Sequence, residues 1–185
     1  LTVHGIHLRR HRAWYTSVAW RLERLGLAPM YLAMFGHRLA ARRLLSALPG
    51  APQVVIADIG VAGVLECVRG TLRVYHAHNV EYDHFVSAGP DVWLRARWAE
   101  GYRALEARAC AHADIVTVTG EADAARMREL YGVPEARLTV IPNGFDETTI
   151  HAPSAAERAA ARAALGFGDG DYVALFLGSD VPHNR

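Results

Sequence analysis

Cysteine is scarce in this 185-residue chain, with Cys67 and Cys110 the two present. Two thiols cannot build a disulfide framework, and such sparing use fits a reducing compartment and a cytoplasmic setting. An excess of charge is also missing. Twenty Lys and Arg face nineteen Asp and Glu, a net charge of +1, which argues against nucleic-acid binding as the main activity. No apolar run reaches the roughly 18 residues that a bilayer span requires. The sequence contains no G-x-G-x-x-G, no G-x-x-x-x-G-K-[ST] and no G-x-S-x-G, which removes a nicotinamide fingerprint, a P-loop and a hydrolase elbow. Internal repeats and low-complexity tracts are absent as well. There is no initiator methionine and no signal-like start. Leu1 opens into LTVHGI, which reads as a strand already in progress, and FLGSDVPHNR stops just after a strand. The expectation is a chain truncated at both ends.

What is present is a globular pattern, 51% hydrophobic and 21% charged, with enough apolar material for a real core. Short β-rich runs alternate with longer helical stretches, the signature of parallel βαβ units. The runs are residues 53–57 (QVVIA), 72–76 (LRVYH), 115–118 (IVTV), 138–141 (LTVI) and 172–177 (YVALFL). Several are continuously apolar, as expected of strands covered on both faces. Between them, residues 92–112 place Leu94, Trp98, Tyr102, Leu105 and Ala109 at three- and four-residue steps, with arginine and glutamate expected on the other face. Residues 121–131 read as a helix closed by Gly132, with Pro134 two residues on. Ser154 and Glu157 form a capping box that opens a helix ended by Gly166. The turn Pro142-Asn143-Gly144 is the candidate boundary: residues 1–145 hold several α/β units, whereas residues 146–185 hold one helix and one strand, too little for a core. In the first third, residues 14–27 and 30–48 look helical. The second carries Arg38, Arg42 and Arg43 beside Met30, Leu32, Met34 and Phe35, either a sheet-packed helix with a basic edge or a surface resting on an anionic membrane.

The segment richest in possible chemistry is His76-Ala77-His78-Asn79-Val80-Glu81-Tyr82-Asp83-His84, directly after a strand. Ligands bind at the carboxyl ends of strands in open parallel sheets, so polar residues there carry functional weight. Strand alternation puts His76 and His78 on one face. His76 reads as a structural histidine and His78, at the strand's exit, as a functional one. Together with Glu81 they could supply a base, a donor to sugar hydroxyls or metal ligands. The metal reading is set aside, because Val80 and Glu81 stand where a common metallohydrolase pattern needs an Asp-His pair, and no later set completes a site. Asp58, after QVVIA, is a strand-end carboxylate or a turn cap. His4, His7 and His11 with Arg9, Arg10 and Arg12 form a basic turn or an anion patch. Gly178-Ser179 after YVALFL is a small-residue loop of the kind that lets backbone N–H groups approach a phosphate.

Taken in order, these segments resemble family 4 of the glycosyltransferases. The matching pieces are HAHNVEYD; Glu106 with Ala113-Asp114 in EARACAHADIVTVTGEAD; YGVPEARLTVIPNGFD; and LFLGSDVPHNR. The resemblance covers roughly residues 53–185. It implies a retaining enzyme with two facing Rossmann-like domains, the GT-B fold, of which residues 1–145 would be the acceptor-side domain, a parallel sheet with helices on both faces. Residues 146–185 would be the link and first strand of the nucleotide-sugar domain. By the same resemblance His78 stands beside the reacting sugar, Asn79, Glu81 and Asp58 line the acceptor side, Pro142, Asn143 and Gly144 form the hinge, and Gly178, Ser179 and Arg185 approach the donor diphosphate. Many members carry Gly-Arg and then Lys-Gly where this chain has Gly178-Ser179 and His183-Asn184-Arg185. The paired glutamates for the donor and the first glycine-rich loop are not in this sequence.

The implied reaction is transfer of a sugar from a nucleotide-sugar to a glycan, lipid or small-molecule acceptor. It implies no metal or other cofactor, no nucleic acid, and a cytoplasmic location with peripheral contact at the inner face of the membrane. The chain by itself is expected to be inactive. Two other readings stand beside it: a sugar-nucleotide epimerase on the same two-domain plan, and a non-catalytic α/β binding module.

Overall fold

The computed structural model describes residues 18–19, 21–23, 25–29, 42, 45–46, 50–168 and 170–175. Four strands, β1 (Val54–Ala57), β2 (Leu72–Ala77), β3 (Ile115–Val118) and β4 (Leu138–Val140), form one sheet in the order β1-β2-β3-β4. Every pairing is parallel, with Val54 opposite Leu72, Val74 opposite Ile115 and Val116 opposite Leu138. Crossovers therefore join all neighbours. A 3-10 turn (Ile59–Val64) joins β1 to β2, helices α1 (Glu81–Ala88) and α2 (Arg95–His112) join β2 to β3, and α3 (Glu121–Tyr131) leads to β4. The fold is α/β and Rossmann-like, with helices packed around a parallel sheet.

Local chemistry explains the element ends. Gly132 adopts φ +62° and stops α3, its N–H bonding the Arg128 carbonyl at 2.9 Å; glycine occupies that left-handed position without a Cβ clash. The main core gathers Leu65, Tyr75, Val116, Val118 and Met127, all buried. Each such aliphatic side chain contributes roughly 1.5–3 kcal/mol. A second cluster, Phe85, Trp98, Tyr102 and Leu105, bonds α1 to α2, with Phe85 stacked on Tyr102 at 4.7 Å.

The amino edge of the sheet is tied by charge. Asp114 accepts from the Arg73 backbone at 2.9 Å and from its guanidinium at 3.0 and 2.6 Å. That fork holds the Asp114 carboxyl at about 2. Arg137 donates to the Cys110 carbonyl at 2.5 Å and to the Ala113 carbonyl, closing the C-terminus of α2, where a cation also suits the helix dipole.

The chain divides into two compact units between Pro142 and Asn143. In the second, helix α4 (Ala155–Ala164) opens with a complete capping box: Glu157 N–H donates to Ser154 Oγ at 3.2 Å, and Ser154 N–H to the Glu157 carboxylate at 2.8 Å. The strand expected over 172–177 does not form in residues 172–175, where Tyr172 and Leu175 are exposed. A strand persists by ladder bonds to a neighbour, and no strand of the second unit is present among the described residues to pair with it. The expectations for residues 1–6, for His4, His7 and His11 with their arginines, and for Gly178, Ser179 and Arg185 fall outside the described residues, as do most of the two helices expected between 14 and 48. Among the described residues no helix is long and apolar enough to cross a membrane.

Candidate functional site

Because the strands are parallel, their carboxyl ends deliver Asp58, His78, Thr119 and Ile141 to one edge of the sheet. Asp58 is exposed, precedes the 3-10 turn and makes no side-chain capping bond. Asn79 is exposed next to His78. Pro142, Asn143 and Gly144 lie in an exposed stretch without regular structure just past β4.

His78 itself is exposed. Its backbone carbonyl accepts from Thr119 Oγ1 at 3.3 Å, which ties the loop after β2 to the loop after β3. Its ring meets that of His76 edge-on at 4.4 Å between centroids. His76 is half-buried, and its Nδ1 lies 2.7 Å from Thr117 Oγ1 on the neighbouring strand. One histidine is thus locked into the sheet while the other faces solvent.

Immediately after comes α1, a helix not foreseen in the sequence. Its N-cap position is Val80, whose side chain can accept nothing. The acceptor comes instead from α2. Glu106 takes the Glu81 N–H at 3.1 Å and the Tyr82 N–H at 3.4 Å, together with the Tyr75 hydroxyl at 3.1 Å and the Tyr131 hydroxyl at 2.6 Å. This carboxylate is 0% exposed. The glutamates of α2 were expected on the outer face; Glu106 corrects that, because it follows Tyr102 by one helical turn and so shares the buried face. The useful signal in the sequence was an acid at i+4 from a core aromatic.

The first turn of α1 is fixed a third time, by Asp83 gripped by Arg126 of α3 at 2.6 and 2.9 Å. Glu81 is half-buried beside these groups. Burial first, then the charge of Glu106, push its carboxyl up to about 7; the bond from Asn79 opposes this, while Asp58 and Glu23 add to it. Glu106 is itself raised by burial, against which its four donors pull. Cys110 is pushed up to about 12 by burial and then by Glu106, so it stays a protonated core thiol.

The edge therefore offers an exposed imidazole, an exposed amide and a carboxyl that holds a proton near neutrality, on backbone secured from three directions. Such a set can donate and accept hydrogen bonds to hydroxyl-rich ligands. Among the described residues no cluster of three or more His, Cys, Asp or Glu could hold a metal ion. No curated protein matches the chain. A family model does: that described as Glycosyltransferase Family 4 matches residues 2–149. With four parallel strands, their shared carboxyl edge and a match over most of its length, the chain belongs to glycosyltransferase family 4.

Proposed function

We propose that this chain forms the acceptor-side wall of a retaining, two-domain glycosyltransferase that moves a sugar from a nucleotide-sugar to a glycan, lipid or small-molecule acceptor. The observation that carries the reading is the exposed His78 at the carboxyl end of β2, its backbone held by Thr119. In the reaction the anomeric C–O bond to the diphosphate breaks and a bond to the acceptor oxygen forms on the same face. The acceptor proton passes to the departing phosphate oxygen. The transition state has oxocarbenium character, so placement and stabilisation of the leaving diphosphate dominate. His78 hydrogen-bonds the donor sugar beside the reacting carbon. Asn79, Glu81 and Asp58 orient the acceptor. Gly178, Ser179 and Arg185 face the diphosphate from the nucleotide-sugar domain, and the link at Pro142, Asn143 and Gly144 lets the cleft close and exclude water. No metal or other cofactor has a role in this scheme.

Peripheral contact with the inner face of a membrane belongs to the same proposal. Trp93, 90% exposed just before α2, and Arg97, exposed in its first turn, are side chains of the kinds suited to an anionic interface. Replacing His78 by Ala in the full-length protein is expected to lower turnover by about tenfold or more, measured as sugar transfer from labelled donor; unchanged kinetics would remove His78 from the reaction. Epimerised donor formed without any acceptor would instead favour an isomerase.

A further inference from the structure

Val80 leaves the first turn of α1 without a capping side chain. The amides of Glu81 and Tyr82 are satisfied by Glu106, 25 residues further along the chain and on another helix. A serine or aspartate at position 80 would cap locally, but Val80 is 3% exposed in the main core, so the cap comes from elsewhere. A carboxylate taken fully out of water costs several kcal/mol unless it is compensated. Here compensation is complete. One carboxylate oxygen receives the Tyr75 hydroxyl and the Glu81 N–H, and the other the Tyr131 hydroxyl and the Tyr82 N–H. Four donors on its two oxygens favour the ionised form against the burial that raises its carboxyl. A glutamine in its place would turn an NH2 toward two of those donors.

We propose that Glu106 is a positioning residue for sugar transfer: its buried carboxylate caps α1 from α2 and so fixes the loop that presents His78, Asn79 and Glu81. This rests on the reading of that loop as the acceptor wall. The same charge acts on Glu81. The groups facing Glu81 are Glu106 from α2, Asp58 from the end of β1, Glu23 from the N-terminal region and Asn79 from its own loop, and around Glu106 stand Tyr75, Tyr131 and Cys110. Among the described residues the groups acting on Glu81 include no cation, and Arg137 acts on the neighbouring Cys110, so the protonation of Glu81 answers chiefly to its burial and then to Glu106.

The test uses the full-length protein, comparing wild type with Glu106→Gln by hydrogen exchange of the peptide that spans residues 79–83 and by steady-state kinetics across pH. In a Glu106→Gln protein with native circular dichroism, exchange at Glu81 and Tyr82 is expected to quicken by about tenfold or more. Turnover is expected to fall by about tenfold or more with donor KM changed less than about twofold, and the pH-profile limb near 7 is expected to move to lower pH. Unchanged exchange overturns the proposal. So does faster exchange with an unaltered kcat and pH profile, since that marks a cap with no bearing on the reaction. If Glu106→Gln does not fold, Tyr131→Phe decides, removing one donor and keeping the carboxylate; the same changes in milder form support the proposal, and wild-type exchange and kinetics defeat it. A wild-type protein that transfers no sugar defeats the transferase reading, while the exchange data still report on the cap.

Discussion

Asp114 at one end of the sheet and Glu106 with Glu81 at the other are carboxylates put to opposite uses. At the amino edge Asp114 sits in the fork of Arg73, is held at about 2 and ties the start of β2 to the start of β3. At the carboxyl edge Glu106 and Glu81 have hydroxyl, amide and acidic neighbours in place of an arginine, and both are raised by burial. An ion pair at a half-exposed edge only fastens. A buried acid surrounded by neutral donors and other acids is a group whose proton can be set by its surroundings. Ion pairs fasten both ends, Asp114–Arg73 at one and Asp83–Arg126 at the other, but the raised acids lie at the carboxyl end, together with the exposed histidine.

Substitutions can break this contrast. Glu106→Ala should have the largest effect, because it strands the Glu81 and Tyr82 amides and two tyrosine hydroxyls; a loss of about 3–4 kcal/mol is expected in urea unfolding. An Ala variant as stable as wild type would show the buried acid to be dispensable. Next comes Glu81→Gln. Glu81 binds its proton more tightly folded than unfolded, so it costs nothing below the ordinary glutamate range and destabilises progressively as pH rises from about 4.5 to 7. Removing the charge should therefore stabilise the protein by roughly 2–3 kcal/mol at pH 8 and hardly at all at pH 4. A pH-independent difference would refute the assignment. The smallest effect belongs to Asp114→Asn, about 1 kcal/mol near neutrality because the pair is part-exposed. Its sign with pH is reversed: Asp114 binds its proton less tightly folded, so the contribution is complete above about 4 and disappears as pH falls through about 2. Acid melts of wild type and variant should converge there.

How much of this could be read beforehand follows from where each interaction's partners lie in the chain. Strands 115–118 and 138–141 were visible as apolar runs, and α3 was visible to the residue because Gly132 stops it locally. The Ser154–Glu157 box was likewise legible, both partners lying within four residues of each other. Helix α1 was not, because Val80 gives no start signal and the actual cap is remote in sequence. Glu106 was noticed as part of a family resemblance and misplaced on the outer face, since periodicity alone treats an acid as a surface residue. The run YVALFL showed the opposite failure: strong strand propensity without a ladder partner left residues 172–175 irregular. The place of His78 after a strand was legible because it depends only on sheet direction; Thr119 on its carbonyl and Glu106 on the next helix turn are remote in sequence and were not.

The borrowed cap also has a consequence for the order of assembly. Eight residues are too few to hold a helix in water by themselves, so α1 is expected to acquire its first turn only once α2 has docked and brought Glu106 against it. The wall bearing His78 would then be completed late in folding and be the first part lost under mild heat or denaturant, with activity vanishing while the parallel ladder beneath is still intact.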